Sequence, residues 1–187
     1  MPRQFYNRPT LKVAKELLGK YLVVQKDRYN LSGKIVETEA YIGFKDPASH
    51  AYRGMTPRNR VMFGDPGYAY VYITYGMHHC LNLVTEKEEY PAAVLIRALE
   101  PTDGVELMKK RRGRQRLKDL TSGPAKLCQA LGIDRKLNGA DLCSEIIYVE
   151  DRGEVVERIA SSARIGIKEG KQKKWRFYIK NNEFVSR

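Results

Sequence analysis

The chain has 187 residues, 42% of them hydrophobic, and carries 34 Lys and Arg against 22 Asp and Glu, a net charge of +12. That length supplies one sizeable core and not two, so one domain is expected over residues 1–187. No apolar run is long enough for a transmembrane helix, and the N-terminal MPRQFYNRPT lacks the apolar stretch of a secretion signal. The positive excess points to a polyanionic partner, and it is clumped: residues 109–118 hold seven basic side chains and no acid, residues 168–176 hold five, and Arg53, Arg58 and Arg60 form a smaller group. The longest clump has almost no apolar face, which argues against a membrane-surface helix.

In chain order, residues 10–19 (TLKVAKELLG) suggest a short helix capped by Thr10, with Leu11, Ala14, Leu17 and Leu18 on one face and Gly19 at its end. Residues 21–25 and 34–42 suggest strands. Residues 43–66, rich in Gly, Pro, Asp, Asn and Arg, suggest a long ordered loop, since Met62, Phe63 and the aromatics argue against disorder. YAYVYITY at 68–75 and CLNLV at 80–84 suggest a hairpin turning at Gly76. A buried strand follows at 92–99, then a helix from Asp103 to about Arg112 with Asp103 and Glu106 spaced as a capping box, and a helix from Pro124 to Leu131 stopped by Gly132. EIIYVE at 145–150, ARIGI at 163–167 and WRFYIK at 175–180 suggest further strands. Short connections between many strands imply an α+β fold: a single domain with a curved, mainly antiparallel sheet, flanking helices and a protruding β-hairpin.

Several residues could carry chemistry. Alternation along IVETEAYI puts Ile35, Glu37, Glu39 and Tyr41 on one face, and Val36, Thr38, Ala40 and Ile42 on a core face. Arg97, between Ile96 and Ala98, requires a buried anion, for which Glu39 and Glu37 are both candidates; a purely structural ion pair would serve as well. Tyr72 could be a stacking platform, and Tyr75, beside the turn glycine, could project from the hairpin tip as a wedge, although ordinary tyrosine packing explains both. Adjacent His78 and His79 make a poor chelate, and Cys80, Cys128 and Cys143 form no C-x-x-C pair, so no metal site is expected and the thiols are expected to be buried and reduced. Neither a phosphate-binding Gly-Lys loop nor a dinucleotide fingerprint occurs, so no cofactor is expected.

Taken together, IVETEAYIG at 35–43, TPRNRVMF at 56–63, YVYITYGMHHCLN at 70–82, VLIRALEP at 94–101, SGPAKLCQALGI at 122–133 and ARIGI at 163–167 resemble the alkyladenine (3-methyladenine) DNA glycosylase family, over nearly the whole chain. The resemblance implies a monofunctional, metal-free hydrolase of base excision repair that flips alkylated or deaminated purines (3-methyladenine, hypoxanthine, ethenoadenine) out of duplex DNA. In it, Glu39 resembles the general base that activates a water, with Arg97 as its partner and the Ile165 carbonyl orienting the same water. Tyr41, His50 and Tyr72 resemble the walls that clamp the flipped base, and Asn82 a filter against guanine. Tyr75 resembles the tyrosine that fills the vacated gap from the minor groove, and Arg53, Met62 and Met77 resemble further DNA contacts. His78 and His79 depart from the aromatics expected there, and the 109–118 run receives no role from the family. A monomer acting in the cytoplasm or on the nucleoid is the expectation. The alternatives are an RNA- or tRNA-binding module, which would need no Glu39–Arg97 pair, and a nuclease, which would want a carboxylate–metal cluster.

Overall fold

Among the described residues, eight antiparallel strands form one curled sheet, in the order β3-β4-β5-β2-β1-β6, with β8 beside β2 and β7 beside β8. The computed structural model describes residues 1–26 and 29–186. The strands are β1 (Tyr21–Lys26), β2 (Tyr29–Ile42), β3 (Ala69–Thr74), β4 (His78–Thr85), β5 (Ala92–Pro101), β6 (Ile147–Glu150), β7 (Ile159–Ser162) and β8 (Arg176–Ile179). Five short helices accompany them among these residues: α1 (Arg3–Tyr6), α2 (Thr10–Glu16), α3 (Val105–Arg112), α4 (Lys118–Thr121) and α5 (Pro124–Leu131). None of them is long and apolar enough to cross a membrane. The expected α+β architecture, curved sheet and hairpin are all present.

The main core lies where α2 and α5 cover one side of the sheet. Val13, Ala14 and Leu17 of the α2 segment meet Leu22, Leu31, Ile35 and Ile96 of the strands, joined by Leu127, Cys128 and Leu131 of α5. Burying each of the Val, Leu and Ile side chains contributes about 1.5–3 kcal/mol. A smaller cluster, Ala51, Met62, Phe63, Tyr70, Val84 and Ala93, ties the long 43–66 segment to β3, β4 and β5. This packing explains how 24 residues containing only two 3-10 turns (Gly43–Lys45 and Arg60–Phe63) hold a defined course. Asn59, fully enclosed, gives its side-chain amide to the carbonyls of His50 and Gly54.

Four local expectations are corrected. Thr10 does not cap α2; it is the first helical residue, and Glu86 reaches across to accept its backbone N–H at 2.7 Å and its hydroxyl at 2.8 Å. The Asp103–Glu106 capping box does not form. Gly104 precedes α3 at φ +75, where a Cβ would lie 2.4 Å from Leu31 Cδ2, and the Asp103 carboxylate turns instead to Ser32 and Arg152. ARIGI is not a strand: β7 ends at Ser162, and Arg164 is drawn inward by a buried carboxylate that periodicity does not reveal. Cys143 is exposed, whereas Cys80 and Cys128 are buried; all three are free.

The fifth correction bears on the site. The β2–β5 register shifts between Ile35 and Glu37 and again between Glu37 and Thr38. Such a bulge re-aims side chains that strict alternation would assign to the other face. Ile35 therefore joins the main core with Ala40, and Val36 crosses to pack with Ala98 and Phe184. Thr38 donates its hydroxyl to the Ala14 carbonyl of α2. Both faces of this strand are buried, so Glu37 and Glu39 are enclosed rather than solvated.

Candidate active site

β2, β3, β4 and β5 together frame a cavity of about 310 Å³ at one end of the sheet. Tyr41, His50, Tyr72, Asn82, Arg97 and Ile165 all line it, as does Tyr75 at its rim. The β3–β4 hairpin supplies the aromatic wall. Period-2 placement sends Val71 to the main core and Tyr70 and Tyr72 to the other side. His50, arriving from the long loop, meets the Tyr72 ring edge-on at 4.6 Å between centroids, and its Nδ1 is 3.0 Å from the Tyr70 hydroxyl. Part of the His50 ring is open to the mouth. Loss of water along the wall, and then the nearby Arg58 charge, nonetheless pull the imidazole down to about 4. His50 is therefore neutral near pH 7 and presents a hydrogen-bonding ring without charge.

Glu39 is fully buried behind the cavity wall, in contact with three residues that line it, Tyr41, Arg97 and Ile165. Oε1 accepts the Ile165 N–H at 2.7 Å, and Oε2 accepts the Tyr41 hydroxyl at 2.8 Å and faces Arg97 Nη1 at 3.3 Å. Burial raises its pKa above the ordinary glutamate value; Arg97, the Ile165 amide and the Tyr41 hydroxyl oppose that rise, and Glu37 adds to it. The net direction is upward, toward the range in which a carboxylate is an effective proton acceptor near neutral pH. It is the Ile165 amide that touches Glu39 directly. The family resemblance implies a role only for the carbonyl of that residue.

Asn82 is nearly enclosed on β4, with its side-chain N–H fixed on the Tyr70 carbonyl at 3.1 Å. Its carboxamide cannot swing freely, so it sets one edge of the cavity. Met62 is only 2% exposed and packs within the wall cluster, so its side chain is a lining group rather than a surface contact. Arg53 is on the surface of the loop. Arg58 also lines the cavity, its guanidinium 5.1 Å from the Tyr72 ring centroid and its Nη2 on the Ile73 carbonyl at 3.0 Å.

The hairpin tip protrudes. Tyr75 is 90% exposed and Met77 72%. Tyr75 at φ +50 and Gly76 at φ +72 form a turn closed by Met77 N–H on the Thr74 carbonyl. Positive φ at both central residues suits the twist of a tight hairpin, but it costs a non-glycine residue on the order of 1–2 kcal/mol. A bulky aromatic held in that conformation, with almost all its surface in water, makes no contribution to folding that would offset the cost.

Four residues that matter here were not found from sequence. Asp46 and Arg164 form a buried bidentate pair, and Arg176 and Ser186 converge on Glu37. Arg164 could have been flagged as a lone charge in an apolar run; the others carry no local signal. Among the described residues, no group of three or more His, Cys, Asp or Glu is placed to hold a metal ion.

The fold and cavity thus define an α+β protein with an aromatic slot in front of a buried carboxylate on a basic chain. The chain belongs to the methylpurine-DNA glycosylase family, whose model matches residues 4–183. It is accordingly a DNA glycosylase, a hydrolase of N-glycosyl bonds. Among its relatives, proteins of Methanocella arvoryzae and Carboxydothermus hydrogenoformans are each 56% identical over all of this chain and cover 96% and 98% of their own lengths. One from Desulfitobacterium hafniense is 48% identical over 98% of the chain and 97% of its own length. All three carry the provisional name 3-methyladenine DNA glycosylase.

Proposed function

We propose that this protein excises alkylated purines, 3-methyladenine first among them, by flipping the nucleotide into the aromatic slot and hydrolysing its glycosidic bond with a water activated by Glu39. One observation carries the proposal. A carboxylate buried behind an aromatic cavity is held by a backbone N–H, a phenol and an arginine, while a tyrosine stands exposed on the adjoining hairpin tip.

The chemistry follows from charge. A purine methylated at N3 is already cationic, so it leaves C1′ as a neutral base when the bond electrons return to the ring. Water adds its oxygen to C1′, and its proton passes to the Glu39 carboxylate. General-base help of this kind contributes about 10²–10⁴-fold. Arg97 keeps the carboxylate ionised despite burial and holds the water beside it, and Ile165 fixes one of its oxygens. Tyr41, Tyr72 and His50 stack on or flank a flat ring, and electron-rich faces favour a cationic one. Asn82 excludes guanine by meeting its exocyclic amine. Neutral lesions such as hypoxanthine and ethenoadenine fit the same slot and await protonation to leave.

Extrusion of the nucleotide costs a few kcal/mol. Tyr75, entering from the minor groove with Met77 beside it, fills the gap and offsets part of that cost. Arg53, Arg58 and the Lys168–Lys174 stretch, which follows directly on Ile165–Ile167 at the cavity wall, contact phosphates of double-stranded DNA. Without a lysine nucleophile in the slot the enzyme is monofunctional, and it works as a monomer within the cell, at the nucleoid. Substituting Glu39→Gln tests the whole: duplex binding persists and base release in a single turnover falls by about 10²–10⁴-fold. Undiminished release would exclude Glu39 as the base.

A further inference from the structure

The second carboxylate of β2 is more tightly bound than the first. Glu37 Oε1 accepts from Arg97 Nε at 3.0 Å, Arg176 Nε at 2.6 Å and Ser186 Oγ at 2.9 Å; Oε2 accepts from the Ser186 N–H at 2.7 Å. Oε1 is saturated by three donors, Oε2 is engaged by the Ser186 N–H, and the side chain is fully buried, so Glu37 is committed to these partners. Its partners instead converge on Arg97. That guanidinium is spanned by Nε on Glu37, Nη1 facing Glu39 at 3.3 Å and Nη2 on Ser186 Oγ at 3.3 Å. A guanidinium is a planar fork with its donors fixed relative to each other, so anchoring Nε and Nη2 dictates where Nη1 points.

The anchor is itself braced. Arg176 Nη2 donates to the Ser186 carbonyl at 3.0 Å, Phe184 packs against Val36 and Ala98, and the Asn182 side chain accepts the Phe184 N–H at 2.9 Å. The bulge at 35–37 brings Val36 to this side, which seats Phe184 and with it Ser186. A buried cluster of two carboxylates and two guanidiniums is a poor source of stability, because desolvation offsets most of the attraction. What it does supply is direction.

We propose that Glu37, with Arg176 and Ser186 of the C-terminal segment, is a positioning unit that aims Arg97 at Glu39. This rests on Glu39 acting as the base. Glu37 also shares the charge of Arg97, and so limits how far that charge lowers the Glu39 pKa. The groups facing Glu39 are Arg97 from β5, Glu37 and Tyr41 from β2, Cys80 from β4, Arg176 paired opposite it on β8, and the Ile165 amide; Arg164 lies beyond the Tyr41 ring. Of these, Glu37 is the neighbour whose negative charge raises the proton affinity of Glu39.

The test compares Glu37→Gln, Ser186→Ala and Glu39→Gln with the parent on a duplex carrying one methylated purine. It reads thermal unfolding, duplex affinity and single-turnover release across pH. Glu37→Gln keeps its affinity, loses about ten- to a hundredfold in rate through misplacement of Arg97, and shifts the acidic limb of the profile to lower pH. Ser186→Ala loses rate more weakly, with the limb in place. A folded Glu37→Gln with parental rate and parental limb, beside an inactive Glu39→Gln, overturns the positioning role while leaving the base intact. Full release by Glu39→Gln overturns both. Should Glu37→Gln fail to fold, an unchanged rate in Ser186→Ala overturns the role by itself.

Discussion

Asp46→Ala offers a severe test of how the site is braced. Arg164 is enclosed with both Nη atoms committed: Nη1 to Asp46 Oδ2 at 2.5 Å and to the Ala40 carbonyl at 2.8 Å, and Nη2 to Asp46 Oδ1 at 2.7 Å. Its plane lies between the Tyr41 ring at 4.6 Å and the Trp175 ring at 5.2 Å, and its Nε has no partner. Removing the carboxylate leaves a buried guanidinium without a counter-charge, which costs about 3–5 kcal/mol. For a chain of this size each kcal/mol lowers Tm by about 2–4 °C, so a fall of roughly 6–20 °C is expected by calorimetry. Activity should suffer separately, because the residue after Arg164 gives its N–H to Glu39 and the ring beneath Arg164 is that of Tyr41. Single-turnover release measured well below the new Tm should therefore fall. Replacing the pair together, Asp46→Leu with Arg164→Met, should recover most of the lost Tm, since no charge remains unpaired. A fall of less than about 2 °C for Asp46→Ala would refute the view that this pair is desolvated and mutually dependent.

The other expectations concern binding and pH. Tyr75→Ser should leave the fold intact, while a 2-aminopurine placed beside the lesion reports a smaller flipped population; unchanged fluorescence would remove the wedge. Asn82→Ser should raise release of methylated guanine relative to methylated adenine, and an unaltered ratio would mean that something else filters guanine. The release rate of the parent should fall as pH drops through a limb above the ordinary glutamate range, because Glu39 accepts a proton only while ionised and its pKa is raised. His50 should contribute no limb near 6.5, being held down to about 4, and the same depression means that folding stability is lost as pH falls from 6.5 toward 4. Lys168→Ala and Lys171→Ala should each lower the magnitude of the log Kd against log salt slope by about one if each touches a phosphate.

How much of this could be read from the chain depended on whether the cause was local. The hairpin was legible because Tyr, Val, Ile and Thr alternate up to a glycine, and α5 because proline and glycine bracket it. The hairpin's three-dimensional placement also kept the faces that alternation gave: Val71 inward, Tyr70 and Tyr72 toward the cavity. On β2 the same counting failed at Ile35 and Val36, because the bulge depends on how β5 docks, which no spacing within β2 encodes. The helix starts failed for a related reason. Thr10 and Asp103 have cap-forming side chains, but partners distant in sequence, Glu86 and Arg152, engage them first. Arg97 was recognisable as a charge needing an anion, yet the choice between Glu37 and Glu39 was not available from the chain alone. The structure shows why: it bonds to both.

That double attachment separates the work of two glutamates two residues apart on one strand. Glu37 meets four donors and is shut away with the C-terminal segment; Glu39 meets a backbone amide, a phenol and one more distant guanidinium contact beneath an open slot. Burial raises the proton affinity of Glu39, and Arg97, the Ile165 amide and the Tyr41 hydroxyl offset only part of that rise. That balance is the one the proposed base requires, since a buried carboxylate without a partner would take up a proton and stay neutral. In this arrangement one guanidinium serves both carboxylates, Glu37 taking the nearer bond at 3.0 Å and Glu39 the 3.3 Å contact.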